Sequence, residues 1–153
     1  MDTAQKFPDF KLQNQDGQWR TLKDYENGWL VLYVYPKDDT PGCTVQGKSF
    51  TATKDQFENL KTQVVGLSAD DVASHKDFCN KFSFTIELLA DPEAQLLSQL
   101  NIGQKEFKGQ SYWNRTTFII DPEGVVRKIY PNVNPEGHEQ TLLQDLKTLQ
   151  SSL

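Results

Sequence analysis

Two hydrophobic periods alternate along the chain. FKLQN, an Asp16-Gly17 pair and QWRTL read as a short hairpin, with alternating segments on either side of a turn. WLVLYVYP, Trp29 to Pro36, is apolar on both faces, as expected of a strand covered on both sides. From Pro41 the spacing becomes helical, with Val45, Phe50, Phe57 and Leu60 on a broadly apolar side as far as Thr62. QVVGLSA follows as a second buried strand. Residues 70–82 are predicted helical again, with Val72, His75, Cys79 and Phe82 sharing one stripe. IELLA reads as a strand, and Asp91-Pro92 is predicted to open a helix, with Asp as cap and Pro at the first position. After a loop, RTTFIID and VVRKIY flank Pro122-Glu123-Gly124 as a second hairpin. An amphipathic helix is predicted over 135–149.

Strands alternating with helices, then a closing hairpin and a helix, describe an α/β protein with a mixed central sheet flanked by helices. That is the order of a thioredoxin-like fold with an N-terminal hairpin added. The chain, 153 residues with no repeat or linker-like stretch, is expected to form a single domain over 1–153.

Composition narrows the partners. A net charge of −5, with no basic run longer than two residues, argues against nucleic acid or an anionic membrane. MDTAQKFPDF carries neither a basic nor an apolar leader region, and no long apolar run follows. A cytoplasmic protein is therefore expected, in which the Asn114-Arg115-Thr116 sequon is not glycosylated. The two cysteines are then unlike a structural staple, because the cytosol keeps ordinary thiols reduced.

Cys43 lies in PKDDTPGCTVQGKSF, two residues after a proline suited to the first turn of a helix. The thiolate is the reactive form of cysteine, and a helix start favours it. Amides of the first turn are free to face the sulfur or an anion beside it. Thr40 can cap this helix, and its hydroxyl can also meet an oxygen approaching the sulfur.

Pro36-x-x-x-Thr40-x-x-Cys43 resembles the active-site signature of the peroxiredoxins, thiol peroxidases on a thioredoxin-like fold. RTTFIID, from Arg115, resembles the family's later strand, whose arginine returns to the cysteine. The likeness continues through GLSADD, LLADPE and Gly137-His138, and is nearest to the bacterioferritin-comigratory-protein or PrxQ branch. It implies roles for Pro36, Thr40, Cys43 and Arg115, with Gln46 helping to hold Arg115. Cleaving an O–O bond needs an in-line sulfur anion and donors for both oxygens. Thr40, the Cys43 amide and Arg115 would supply them, and Pro36 would shield the oxidised sulfur.

The branch often carries its resolving cysteine five residues after the first, where this chain has Lys48. A subset resembles this chain instead, with Gly47 before the missing thiol and a resolving cysteine in an SHxxFC-like segment, matched here by His75, Phe78 and Cys79. That implies a Cys43–Cys79 disulfide. Periodicity alone makes Cys79 an inert core residue. The two cysteines are expected on opposite sides of a sheet edge, too far apart to bridge without local unfolding. His75 and Cys79, one turn apart, could contribute to a zinc site, but further ligands are hard to find. His138 is expected to cap or pack the last helix.

The resemblance implies reduction of hydrogen peroxide and organic hydroperoxides, with thioredoxin or a similar dithiol as reductant and no cofactor, since sulfur carries the electrons. A monomer is expected, because no cysteine-bearing C-terminal tail is present. Phe107, Tyr112 and Trp113 could favour organic peroxides. The alternatives are a one-cysteine peroxidase resolved by an external thiol and a redox sensor without turnover. A thiol-disulfide oxidoreductase would want a C-x-x-C, which is absent.

Overall fold

The computed structural model describes residues 1–152. Seven strands form one mixed sheet: β1 (Lys11–Asn14), β2 (Trp19–Thr21), β3 (Trp29–Val34), β4 (Thr62–Ser68), β5 (Glu87–Ala90) and, after a separate ribbon of β6 (Gln104–Phe107) and β7 (Gln110–Trp113), β8 (Thr116–Ile120) and β9 (Val126–Tyr130). The order is β2-β1-β5-β4-β3-β8-β9. β3, β4 and β5 are mutually parallel, and β8 runs antiparallel to β3. The helices are α1 (Pro41–Ala52), α2 (Lys54–Asn59), α3 (Val72–Phe82) and α4 (His138–Ser151).

Every residue of β3 is buried, and strand parity divides its side chains. Trp29, Val31 and Tyr33 join a core cluster containing Phe50, Phe57, Phe78 and Leu142 from the four helices. Leu30, Leu32 and Val34 join a second cluster with Phe7, Phe10, Tyr25 and Leu97. The crossovers β3 to β4 and β4 to β5 step the same way across the sheet, so their common handedness puts α1, α2 and α3 on one face. The N-terminal segment and two short 3-10 turns cover the other.

Three expectations change. The helix predicted as far as Thr62 breaks at Thr53, whose hydroxyl and amide both donate to the Ser49 carbonyl, at 2.7 and 3.1 Å, an arrangement that bends helices. No α-helix follows Asp91-Pro92. The buried Asp91 carboxylate accepts from the amides of Gln95, Leu96 and Leu97 at 2.8, 3.0 and 2.8 Å, while Ala94 is left-handed at φ 54°, so only a 3-10 turn at Leu97–Gln99 forms. The loop before β8 holds the β6–β7 ribbon, closed by Lys108 and Gly109 at φ 52° and 79°.

Candidate active site

The parallel core strand β3 ends beside the start of α1, and the loop 36–40 joins them. Pro41 takes the first helical position, where a missing N–H leaves no bond unmade. Thr40 occupies the cap position with an extended backbone (φ −108°, ψ 157°), and its carbonyl accepts from the Thr44 amide at 2.9 Å. Its side chain does not cap the helix, contrary to the expectation. The hydroxyl instead donates to the Lys37 carbonyl at 2.8 Å, which commits its hydrogen and leaves the oxygen an acceptor, not the donor expected of it. Because no side chain caps α1, the Gly42 and Cys43 amides of its first turn keep no partner within the helix.

Cys43 sits in that first turn and is only 2% exposed. Arg115, immediately before β8, reaches it across the chain. Nη1 lies 3.6 Å from Cys43 Sγ and donates to Gln46 Oε1 at 2.7 Å. Gln46, one turn beyond Cys43, is itself buried, so it fixes the guanidinium from within α1. The Arg115 backbone is held by the Val133 amide, which donates to its carbonyl at 2.9 Å. Gly42 permits the approach: a β-carbon there would lie 2.7 Å from Arg115 Nη2.

Above these groups lies a cleft of about 690 Å³. Pro36, Thr40 and Arg115 line one side, and Phe107, Tyr112 and Trp113 of the ribbon line the other. Cys43 does not line the cleft, and meets it through Thr40, Pro41 and Arg115. The structure thus gathers Pro36, Thr40, Cys43, Gln46 and Arg115.

Cys79 neither lines that cleft nor bonds to Arg115. It is a free thiol in the last turn of α3, 7% exposed. Cys43 is also free, and the two share one core cluster, so they lie on the same face of the sheet rather than on opposite sides of an edge. The reason is the common direction of the two crossovers. Burial, reinforced by Asp38 and Asp16, pushes the Cys79 thiol up to about 12, so the packed side chain is protonated at neutral pH. Tyr33, held well above its ordinary value first by burial, is near enough to feel both sulfurs.

His75 is fully buried, and neither ring nitrogen is free for a metal. Nε2 lies 2.8 Å from the Leu89 carbonyl and Nδ1 lies 2.7 Å from Asp38 Oδ2. Asp38 also accepts from Tyr35 Oη at 2.6 Å and Ser74 Oγ at 2.8 Å, and its amide donates to Asp70 Oδ2 at 2.9 Å. Asp38, Asp70 and His75 bring ligand-type atoms within 4.8 Å of one another, but these bonds already occupy them. Sequence reasoning missed Asp38, because PKDDT offers two adjacent aspartates and no pattern to say which is buried. His138 packs, as expected, with Nε2 2.9 Å from Thr117 Oγ1.

The AhpC/TSA family model matches residues 3–129. The chain belongs to the AhpC/TSA family. Peroxiredoxin Bcp of Xanthomonas campestris is 36% identical over 142 residues, covering 91% of this chain and 89% of that protein. Peroxiredoxin Bcp of Bacillus subtilis is 34% identical over 152 residues, with 97% of each chain covered. A cysteine-to-serine mutant of PrxQ from Xylella fastidiosa superposes with a TM-score of 0.92 at 34% identity, over 98% of both chains. The Xanthomonas campestris bacterioferritin comigratory protein, described for its alkyl peroxide reduction activity, gives a TM-score of 0.88 at 32% identity, over 96% of this chain and 98% of its own. Family membership makes the chain a peroxiredoxin, a thiol-dependent peroxidase.

Proposed function

We propose that Cys43 is the peroxidatic thiol and that Cys79 resolves it through an intramolecular disulfide. The Cys43 thiolate attacks one peroxide oxygen. The S–O bond forms as the O–O bond breaks, and the leaving oxygen takes a proton to depart as water or alcohol. Sulfur is oxidised by two electrons to the sulfenic acid. The Thr40 oxygen accepts the peroxide O–H, and Arg115 with the Cys43 amide donates to the charge developing along the O–O bond. Pro36 has no N–H and screens the oxidised sulfur from water. The single observation that carries this reading is the Arg115 guanidinium, 3.6 Å from Cys43 Sγ and fixed by Gln46 at 2.7 Å.

The Cys79 thiol then displaces the sulfenic oxygen as water and closes the disulfide, which a thioredoxin-type dithiol reduces. Two buried, unbridged thiols meet only after part of α1 or α3 opens. The aromatic wall of the cleft favours organic hydroperoxides as well as hydrogen peroxide, in keeping with the alkyl peroxide reduction described for the Xanthomonas protein. The groups proposed to act around Cys43 are all present in one chain, so the reading asks for no residue from a second subunit.

A second reading has its own support: the burial and raised acidity constant of Cys79 suit a core residue in a one-cysteine peroxidase. Peptide mass spectrometry after one equivalent of peroxide separates the two. A Cys43–Cys79 disulfide, lost in Cys79→Ser with sulfenate or overoxidised Cys43 accumulating, supports resolution by Cys79. A Cys79→Ser enzyme that recycles normally with thioredoxin and NADPH returns Cys79 to the core. A Cys43→Ser variant that still consumes peroxide overturns the whole assignment.

A further inference from the structure

The segment that carries Cys43 is fastened to the helix that carries Cys79. Asp38 lies in the loop from which α1 hangs, is only 7% exposed, and receives bonds from His75 and Ser74 of α3 at 2.7 and 2.8 Å. His75 Nε2 faces the Leu89 carbonyl, a group that can only accept, so this nitrogen carries a hydrogen. The contact between Nδ1 and Asp38 Oδ2, at 2.7 Å, is buried away from water. Outer contacts follow the same seam: Lys81 pairs with Asp39 at 2.8 Å, and Lys48 lies over the Phe82 ring at 5.1 Å.

The two ends of α3 are held differently. Its start is capped by the Asp71 carboxylate, which accepts from the Ser74 amide, and is tied through His75 to both the loop and β5. Its end closes at Ser83, left-handed at φ 57°, where the Ser83 and Phe84 amides both donate to the Cys79 carbonyl, a backbone ending with no side-chain tie to the loop. Cys79 lies between these ends. For the Cys43 sulfur to leave its pocket, the first turn of α1 must swing out, and that motion pulls on residues 36–40.

Resting on Cys79 as the resolving thiol, we propose that the Asp38–His75 bond is a latch that sets how fast the Cys43 turn and α3 separate after oxidation. It is a positioning device and does not touch substrate. The step it governs needs no outside reagent: Cys43–SOH and Cys79–SH give one S–S bond and one water. While the latch is shut, the sulfenate stays in its pocket, exposed to a second peroxide that would carry it to the sulfinate. Opening diverts it to the disulfide.

Two substitutions separate the bonds of His75. His75→Gln keeps a donor at the Nε2 position toward Leu89 and loses the loop, whereas His75→Asn keeps a donor at the Nδ1 position toward Asp38. Ser74→Ala, at a half-buried site, weakens the latch without touching the core. Quenched-flow mass spectrometry on the full chain follows thiol, sulfenate, disulfide and sulfinate separately, with thermal unfolding as a check on folding. His75→Gln is expected to speed disulfide formation roughly ten- to a hundredfold, as loss of a hydrogen bond to a charged group implies. It should also lower sulfinate per turnover and leave sulfenate formation within about threefold, with Ser74→Ala in between and His75→Asn near wild type. If His75→Gln does not fold, the Ser74→Ala and His75→Asn comparison decides. A disulfide step unchanged or slowed in the folded latch variants overturns the latch alone. A wild-type protein that forms no Cys43–Cys79 disulfide overturns the resolving role of Cys79 and the latch with it.

Discussion

Arg115 and Cys43 are 72 residues apart in sequence, yet Nη1 of the arginine stands 3.6 Å from the sulfur. The contact depends on Gly42, whose missing β-carbon leaves room for the guanidinium, and on Gln46, which holds the same nitrogen at 2.7 Å. A lysine ammonium would keep the charge but lose the planar fork that holds Gln46 and, in the proposed mechanism, a substrate oxygen as well. Arg115→Lys is therefore expected to lower kcat/KM for peroxide by roughly a hundred- to a thousandfold, the usual loss for one removed oxyanion donor. Stopped-flow oxidation of the reduced enzyme measures this, and a loss under about threefold would place Arg115 outside the transition state.

Thr40 makes a different demand. Its hydroxyl hydrogen is spent on the Lys37 carbonyl, so the oxygen that remains can only accept. Thr40→Val removes that acceptor at constant shape, with an expected loss of roughly a hundredfold in the oxidation rate, while Thr40→Ser restores most of it. Equal losses in both variants would show that the methyl group, and so packing alone, is what matters.

Strands were legible because their periods are strong: the two-faced burial of β3 and the N-terminal hairpin follow directly from WLVLYVYP and from Asp16-Gly17. The site motif was equally legible, since Pro36, Thr40 and Cys43 fall on one strand-loop-helix unit. The β6–β7 ribbon was not, because Lys108-Gly109 lacks the Asn-Gly or Asp-Gly signal of a tight hairpin turn and β6 is exposed throughout. Nor was the face shared by the cysteines, which depends on crossover direction and not on any local pattern. Asp38 was hidden for a related reason: its burial is imposed by His75 and Tyr35, whose approach only the tertiary fold creates.

Gly47 marks where α1 meets the residues after α3. A β-carbon there would overlap the Phe84 ring, which packs edge-on against Phe78 at 4.8 Å. Alanine in a helix interior gains about 1 kcal/mol over glycine, but forced overpacking costs about 1–3 kcal/mol. The steric cost should win, so Gly47→Ala is expected to lower stability in urea unfolding. Phe84→Leu in the same background should recover part of the loss, and strict additivity of the two changes would remove the ring contact as its cause.

His138 gives stability a dependence on pH. Burial holds its imidazole at about 4 in the folded chain, against a smaller opposing pull from Asp145. The unfolded chain titrates near the ordinary value of about 6.5. Between these limits the unfolded state binds a proton at His138 that the native state does not, so the free energy of unfolding rises with pH there. The contribution is fully present above about 6.5, shrinks as pH falls, and is gone below about 4, amounting at most to about 3 kcal/mol. His138→Gln keeps a polar atom at the Nε2 position for Thr117 Oγ1 and cannot titrate. Urea unfolding of both proteins across this range should show the wild type losing stability faster on acidification, by up to that amount. A difference between the two that stays constant with pH would mean that His138 binds its proton equally well in both states.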